Sequence, residues 1–130
     1  MAEKYFPFNS QNGDREYLAE DFARYFESII TSGVVADGSQ LPVTSAGGLK
    51  VAVGVGMAWI KGRLYESPAT LNFTLANGAA NPRIARVVVR LDVAARKIAT
   101  RVIQGTAAAS PVAPALIRNA DYWDIGLAEI

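Results

Sequence analysis

A chain of 130 residues suits one domain with its own core. Its formal net charge of +1 exerts no overall pull toward nucleic acid or an acidic membrane surface, so neither is expected as a partner. It contains no Cys and no His, which excludes disulfides, thiolate chemistry, and the commonest general base and neutral metal ligand. Only a carboxylate mechanism, a Ser/Lys device or an all-oxygen metal site would stay open, and no cofactor is expected.

Residues 1–13 read as an aromatic arm carrying Tyr5, Phe6 and Phe8. Pro7 disfavours a helical Phe6. Asn12-Gly13-Asp14 is a turn signal. A single domain is expected over 14–130, opening with a helix at about 15–32. Leu18, Phe22, Tyr25, Phe26, Ile29 and Ile30 form one apolar stripe at helical spacing, the expected docking face of that helix on a sheet body. Buried Phe22 and Phe26 would each cost roughly 3–5 kcal/mol on truncation to Ala. Asp14 is a candidate N-cap, Glu16, Glu20 and Asp21 suit the helix start, and Ser32-Gly33 is the expected stop.

From Val34 the apolar period becomes two. Asp37-Gly38-Ser39 reads as a turn; its likeness to a calcium loop lacks the further carboxylates of an oxygen cage. Strands are expected at 41–44, at 49–55, and in a hairpin of 57–60 and 63–66 around Lys61-Gly62. Leu71, Phe73 and Leu75 alternate again, before a loop over 76–82. Residues 84–93 place Val87, Val89, Leu91 and Val93 on one face, with Arg86, Val88, Arg90 and Asp92 on the other. Residues 98–104 return as a hairpin partner, 105–114 form an Ala/Ser/Pro connector, and 122–130 form a last strand. The expected fold is mainly β, an antiparallel β-sandwich over about 34–130 preceded by one N-terminal amphipathic helix.

The words YFPFNS (5–10), NGDR (12–15) and AEDFARYF (19–26) carry a resemblance. So do GMAWIKGRLYE (56–66), RVVVRLD (86–92), GTAAASPVAP (105–114) and YWDIGLAEI (122–130), in order along nearly the whole chain. The sequence resembles the start of a family of phage tail baseplate and receptor-binding proteins from phages and prophages of Gram-positive bacteria. Members often carry a small polar capping residue where this chain has Leu18, and often run on past the position of Ile130, so a head domain with a continuation is an expectation. The resemblance implies a structural virion component, made in the host cytoplasm and located in the tail or baseplate. Met1-Ala2-Glu3-Lys4 shows neither a signal-peptide core nor a myristoylation glycine. It further implies a domain that assembles with itself, as a trimer or hexamer, and with other tail or baseplate proteins, anchoring host-recognition elements.

Candidate sites follow. The oligomer or tail interface is assigned to Tyr5, Phe6, Phe8, Asn9, Asp14, Arg15 and Tyr17, since buried aromatics are typical interface anchors and terminal segments seldom order without a surface to cover. The bland alternative is that Tyr5, Phe6 and Phe8 cover the open end of the protomer's own sandwich. The charges Asp14, Arg15, Glu20, Asp21 and Arg24 suit solvated helix pairing better than an enzyme's carboxylate pair, and no enzymatic activity is expected. The arginines of strand 84–93 read as a polar outer face partly neutralised by Asp92. The alternative function is a carbohydrate-binding sandwich that contacts host cell-wall saccharide through Trp59, Tyr65, Tyr122 or Trp123, although strand alternation favours core packing for the tryptophans.

Overall fold

A computed structural model describes residues 3–35 and 39–130. Asp37 and Gly38 of the expected 37–39 turn lie outside the described residues. Among the described residues one helix, α1 (Ala19–Glu27), precedes nine strands. These are β1 (Gly33–Val34), β2 (Val43–Ser45), β3 (Lys50–Val53), β4 (Gly56–Ile60), β5 (Arg63–Ser67), β6 (Leu71–Thr74), β7 (Arg86–Asp92), β8 (Lys97–Ile103) and β9 (Tyr122–Glu129). They form three antiparallel three-stranded sheets in the orders β1-β4-β5, β2-β3-β6 and β8-β7-β9. The architecture is mainly β with one short N-terminal helix.

All three sheets feed one apolar cluster. Val53 comes from β3, Ala58 and Ile60 from β4, Val87, Val89 and Leu91 from β7, and Ile125 from β9. The registers explain this. Ala58 stands opposite Val34 and Tyr65, Val53 opposite Val43 and Leu71, and Val89 opposite Thr100 and Ile125. Each row points to the face that the period-two pattern marks as apolar. Leu41 completes the cluster from a loop. Its φ of 57° excludes it from the strand expected at 41–44, and pairing starts at Val43. Gly56, at φ 154°, lies against it, where an added Cβ would stand 2.6 Å from the Leu41 amide nitrogen.

The helix is shorter than expected at both ends. Asp14 does not cap it; its carboxylate instead accepts from the Gln11 amide and closes the Asn12-Gly13 turn. Leu18 is the N-cap residue, and Asp21 accepts from the Leu18 amide, satisfying one donor at the helix start. At the far end the Ser28 hydroxyl donates to the Tyr25 carbonyl, and the Ile29 and Ile30 amides both donate to the Phe26 carbonyl. With these carbonyls satisfied the chain leaves the helix at Glu27, and Gly33 enters β1 rather than serving as the stop.

Sheet β8-β7-β9 is also covered over β7 and β9 on the face turned away from the apolar cluster. Val88, on the arginine side, is as fully buried as Val87 and Val89. Leu116, from the connector between β8 and β9, lies over the neighbouring Gly126. The expectation of a polar outer face holds only in part: Arg86 and Arg90 are largely withdrawn from solvent, whereas Arg101, opposite Val88, is exposed.

Candidate functional site

The helix docks through its smallest side chain. Ala23 is its one buried residue, and an added Cβ on Gly62 would stand 1.7 Å from the Ala23 carbonyl oxygen. Lys61 and Gly62 have φ of 50° and 77°, the two positive values of a type I′ hairpin turn. The sequence thus places a residue without a side chain where the helix backbone crosses the hairpin. Lys61 also pairs with Glu27, and its amide donates to the Ser32 hydroxyl.

This geometry overturns the expected docking face. Leu18 is 63% exposed, Phe22 43%, Tyr25 47%, Phe26 37% and Ile29 70%; Ile30 is half-buried. The stripe turns away from the sheets because close backbone approach at Ala23 and Gly62 is possible only on the small-residue side. Phe26 reaches the body at the rim, with its ring 5.9 Å from that of Trp59.

The arm folds onto the stripe. The Phe6 ring lies 5.4 Å from Tyr17, 5.7 Å from Phe22 and 5.5 Å from Tyr25. The Tyr17 hydroxyl accepts from the Phe8 amide at 2.8 Å and donates to the Phe8 carbonyl at 3.2 Å, holding both backbone groups of one residue. Arg15 sets its guanidinium 5.9 Å from the Tyr5 ring centre and 5.6 Å from that of Phe8. Tyr5 and Phe8 stay 55% and 57% exposed, and Asn9 and Asp14 are also exposed. Of the residues assigned to an interface, the structure therefore brings Tyr5, Phe6, Phe8, Arg15 and Tyr17 together. It adds the helix stripe and Trp59 to the same surface. The result is one continuous aromatic and aliphatic ridge from the arm across α1 to the outer face of β4, where Leu64, opposite Trp59, is exposed as well.

The four rings considered for saccharide contact do not share a surface. Trp59 belongs to the ridge. The Tyr65 hydroxyl is bonded to Thr100 at 2.8 Å. Trp123 has Lys61 Nζ 4.5 Å and the Arg118 guanidinium 4.8 Å from its ring centre. Tyr122 has Arg90 5.4 Å away. Tyr122 and Trp123 border a cleft of about 340 Å³ between α1, the hairpin turn and β9, with Glu20, Arg24, Glu27, Arg63 and Asn119 around it.

Sequence reasoning missed the carboxylate at the centre of the arginine face. Asp124 is fully buried and takes Arg90 through two bonds, Nε to Oδ1 at 2.6 Å and Nη2 to Oδ2 at 2.8 Å. Oδ2 also accepts from the Ile117 amide, and Arg118 bonds to the Asp124 carbonyl, so the connector is tied to the sheet here. Burial alone would raise the Asp124 pKa. The Arg90 hydrogen bonds, the Ile117 amide and the charges of Arg90 and Arg101 outweigh it and hold the carboxyl below its usual value. Hydrogen bonding to Asp124 likewise raises the Arg90 pKa against desolvation. Arg86 pairs with Glu129. Asp124, not Asp92, is the main countercharge of this face. The signal was an acid within the apolar alternation of 122–130.

Neither protein-family profiles, nor curated proteins, nor solved structures return a match to this chain.

Proposed function

We propose that the protein is a structural, non-catalytic component of a phage tail or baseplate: an attachment domain that assembles with itself and with other tail proteins and anchors host-recognition elements. Its place would be the virion, in the tail or baseplate. The single observation that supports this reading most is the exposed aromatic ridge. Contiguous apolar surface of this extent, rich in Phe and Tyr, marks an interaction face. The ordered motif resemblance supplies the tail context. The fully buried carboxylate Asp124 is committed to Arg90 and to a backbone amide, which suits a structural role for it.

The test combines light scattering with co-sedimentation on purified phage tails. The full chain is expected to assemble and to sediment with tails, and the Phe6→Ala/Phe8→Ala variant to lose attachment with a smaller loss of thermal stability. A chain that stays monomeric at all concentrations and ignores tails would overturn the proposal.

A further inference from the structure

Strand β8 forms one margin of its sheet and pairs on one side only, with β7. The backbone pattern shows which of its groups are left over. Ala85 and Ile130 exchange both backbone bonds, and the Val93 amide donates to the Asp121 carbonyl, so the odd-numbered residues along β7 bond toward β9. Alternation turns the even-numbered ones toward β8, where they meet Lys97, Ala99, Arg101 and Ile103. Ile98, Thr100 and Val102 therefore carry their amides and carbonyls on the outer margin, where no backbone group among the described residues bonds to them. The outer side of β9, by contrast, meets the connector, whose Ile117 carbonyl accepts from the Asp124 amide.

The two faces beside this margin differ in chemistry. On the cluster side, Ile98 and Val102 pack against the apolar cluster, and a cleft of about 510 Å³ opens next to Ile98 with Leu64, Tyr65, Leu91 and Val93 in its lining. On the other side, Lys97 and Arg101 stand exposed about the small Ala99, along a groove of about 340 Å³ shared with Arg90 and Asp92. Arg90 is taken by Asp124, whereas neither Lys97 nor Arg101 belongs to an ion pair among the described residues. We infer that the β8 margin binds an extended segment of an unlike protein as an added antiparallel strand, one that alternates apolar with acidic side chains. Backbone bonds to Ile98, Thr100 and Val102 attach it. Its apolar side chains turn to the cleft, and a carboxylate opposite Ala99 lies between the two free cations. The same charges reject a second copy. Its β8, paired antiparallel over most of the strand, sets Lys97 against Arg101, or Arg101 diagonally across from its own counterpart. This surface lies apart from the ridge and goes beyond the attachment reading, since it needs no tail.

The probe is a blocked nonapeptide that alternates Leu or Val with Glu. By calorimetry it is expected to bind at least tenfold more tightly than a peptide of the same residues in scrambled order, and than one carrying Lys in place of Glu. Hydrogen exchange followed by NMR is expected to show the amides of Ile98, Thr100 and Val102 slowed at least tenfold by the peptide, with those of Ala99 and Arg101 unchanged. In an antiparallel pair the apolar peptide residues turn their amides to β8. N-methylation there is expected to abolish binding, and N-methylation of the Glu residues to leave it intact. Lys97→Gln combined with Arg101→Gln, both at exposed sites, should weaken the Glu peptide at least fivefold, against less than twofold for Lys50→Gln on β3. No binding, equal binding of the scrambled or Lys peptide, or binding that survives N-methylation of the apolar residues overturns the inference. Slowing of the same three amides in the protein alone as its concentration rises makes a second copy the occupant and overturns it as well.

Discussion

Gly13 and Gly62 form a matched pair for testing how the helix is seated. Both have φ of 77°, and both follow a residue with positive φ in a two-residue turn: Asn12 at 56° and Lys61 at 50°. They differ in what a Cβ would meet. At Gly13 nothing lies within 4 Å; at Gly62 the Ala23 carbonyl oxygen lies at 1.7 Å. Replacing either by Ala incurs the left-handed backbone penalty, about 1–2 kcal/mol. At Gly62 the overlap must also lift α1 off the hairpin. That exposes the Ala23 methyl, about 0.8 kcal/mol. It separates Phe26 from Trp59, about 0.5–1.5 kcal/mol, and loosens the Lys61–Glu27 pair, up to about 1 kcal/mol. Gly62→Ala is therefore expected to cost roughly 3–5 kcal/mol, and Gly13→Ala at most about 2. At this chain length, about 4 °C per kcal/mol, the midpoints should fall by about 12–20 °C and by less than about 8 °C. Thermal melts of the two variants decide the matter, with hydrogen exchange localising the loss to residues 19–27. Equal losses would refute the seating of α1 on the β4-β5 turn.

Asp124→Ala strands Arg90 and the Ile117 amide and is expected to cost about 3–5 kcal/mol in denaturant melts. Because the folded-state pKa of Asp124 lies below its ordinary value of about 3.9, the stabilisation is complete above that pH and fades as pH falls through the folded value. Asp124→Asn should thus flatten the stability profile of the protein in that acid window; a profile as steep as the unmodified chain's would count against the pair. Ile60→Ala, in the buried cluster, should cost about 2–5 kcal/mol, whereas Ile29→Ala should change the unassembled chain's stability by less than about 0.5; similar values for both would mean the apolar stripe is core after all. Phe22→Ala, measured at concentrations too low for assembly, should fall well short of the roughly 3–5 kcal/mol of a buried phenylalanine. Tyr65→Phe, which leaves the Thr100 hydroxyl without this partner, should cost about 0.5–1.5 kcal/mol by the same melts.

The strands were legible because their signal is local. The Lys61-Gly62 turn and the alternation of 86–92 each follow from a few adjacent residues, and both hairpins are present, the second with Lys97 paired to Asp92 in β8 rather than in the turn. Where the helix stripe would point was not legible. Amphipathicity says that a face avoids water without saying whose surface covers it. The contact that decides the matter, Ala23 on Gly62, involves two residues that carry almost no apolar signal. The burial of Val88 was hidden for a related reason. Its cover is the connector, an Ala- and Pro-rich segment with no period to read, held by a carboxylate whose partner is distant in sequence. The ridge was half legible: the arm's aromatics stood out, while their union with the helix required the Phe6 contacts and the Tyr17 clamp.

The Arg90–Asp124 pair has a consequence for how the last strand finds its place. Arg90 and Asp124 stand directly opposite one another, and a β-bulge lies further along the same pairing, at Val87/Val88. β9 must join β7 after a long excursion, and its residues Ile125 and Leu127 would accept several apolar neighbours. A slip of one residue turns every side chain to the other face. It would drive the Asp124 carboxylate in among Val87, Val89 and Leu91, where no guanidinium waits. Misaligned pairings are thereby made far less favourable than the correct one. The buried charge discriminates among alignments of the strand more than it adds to the strength of the one chosen.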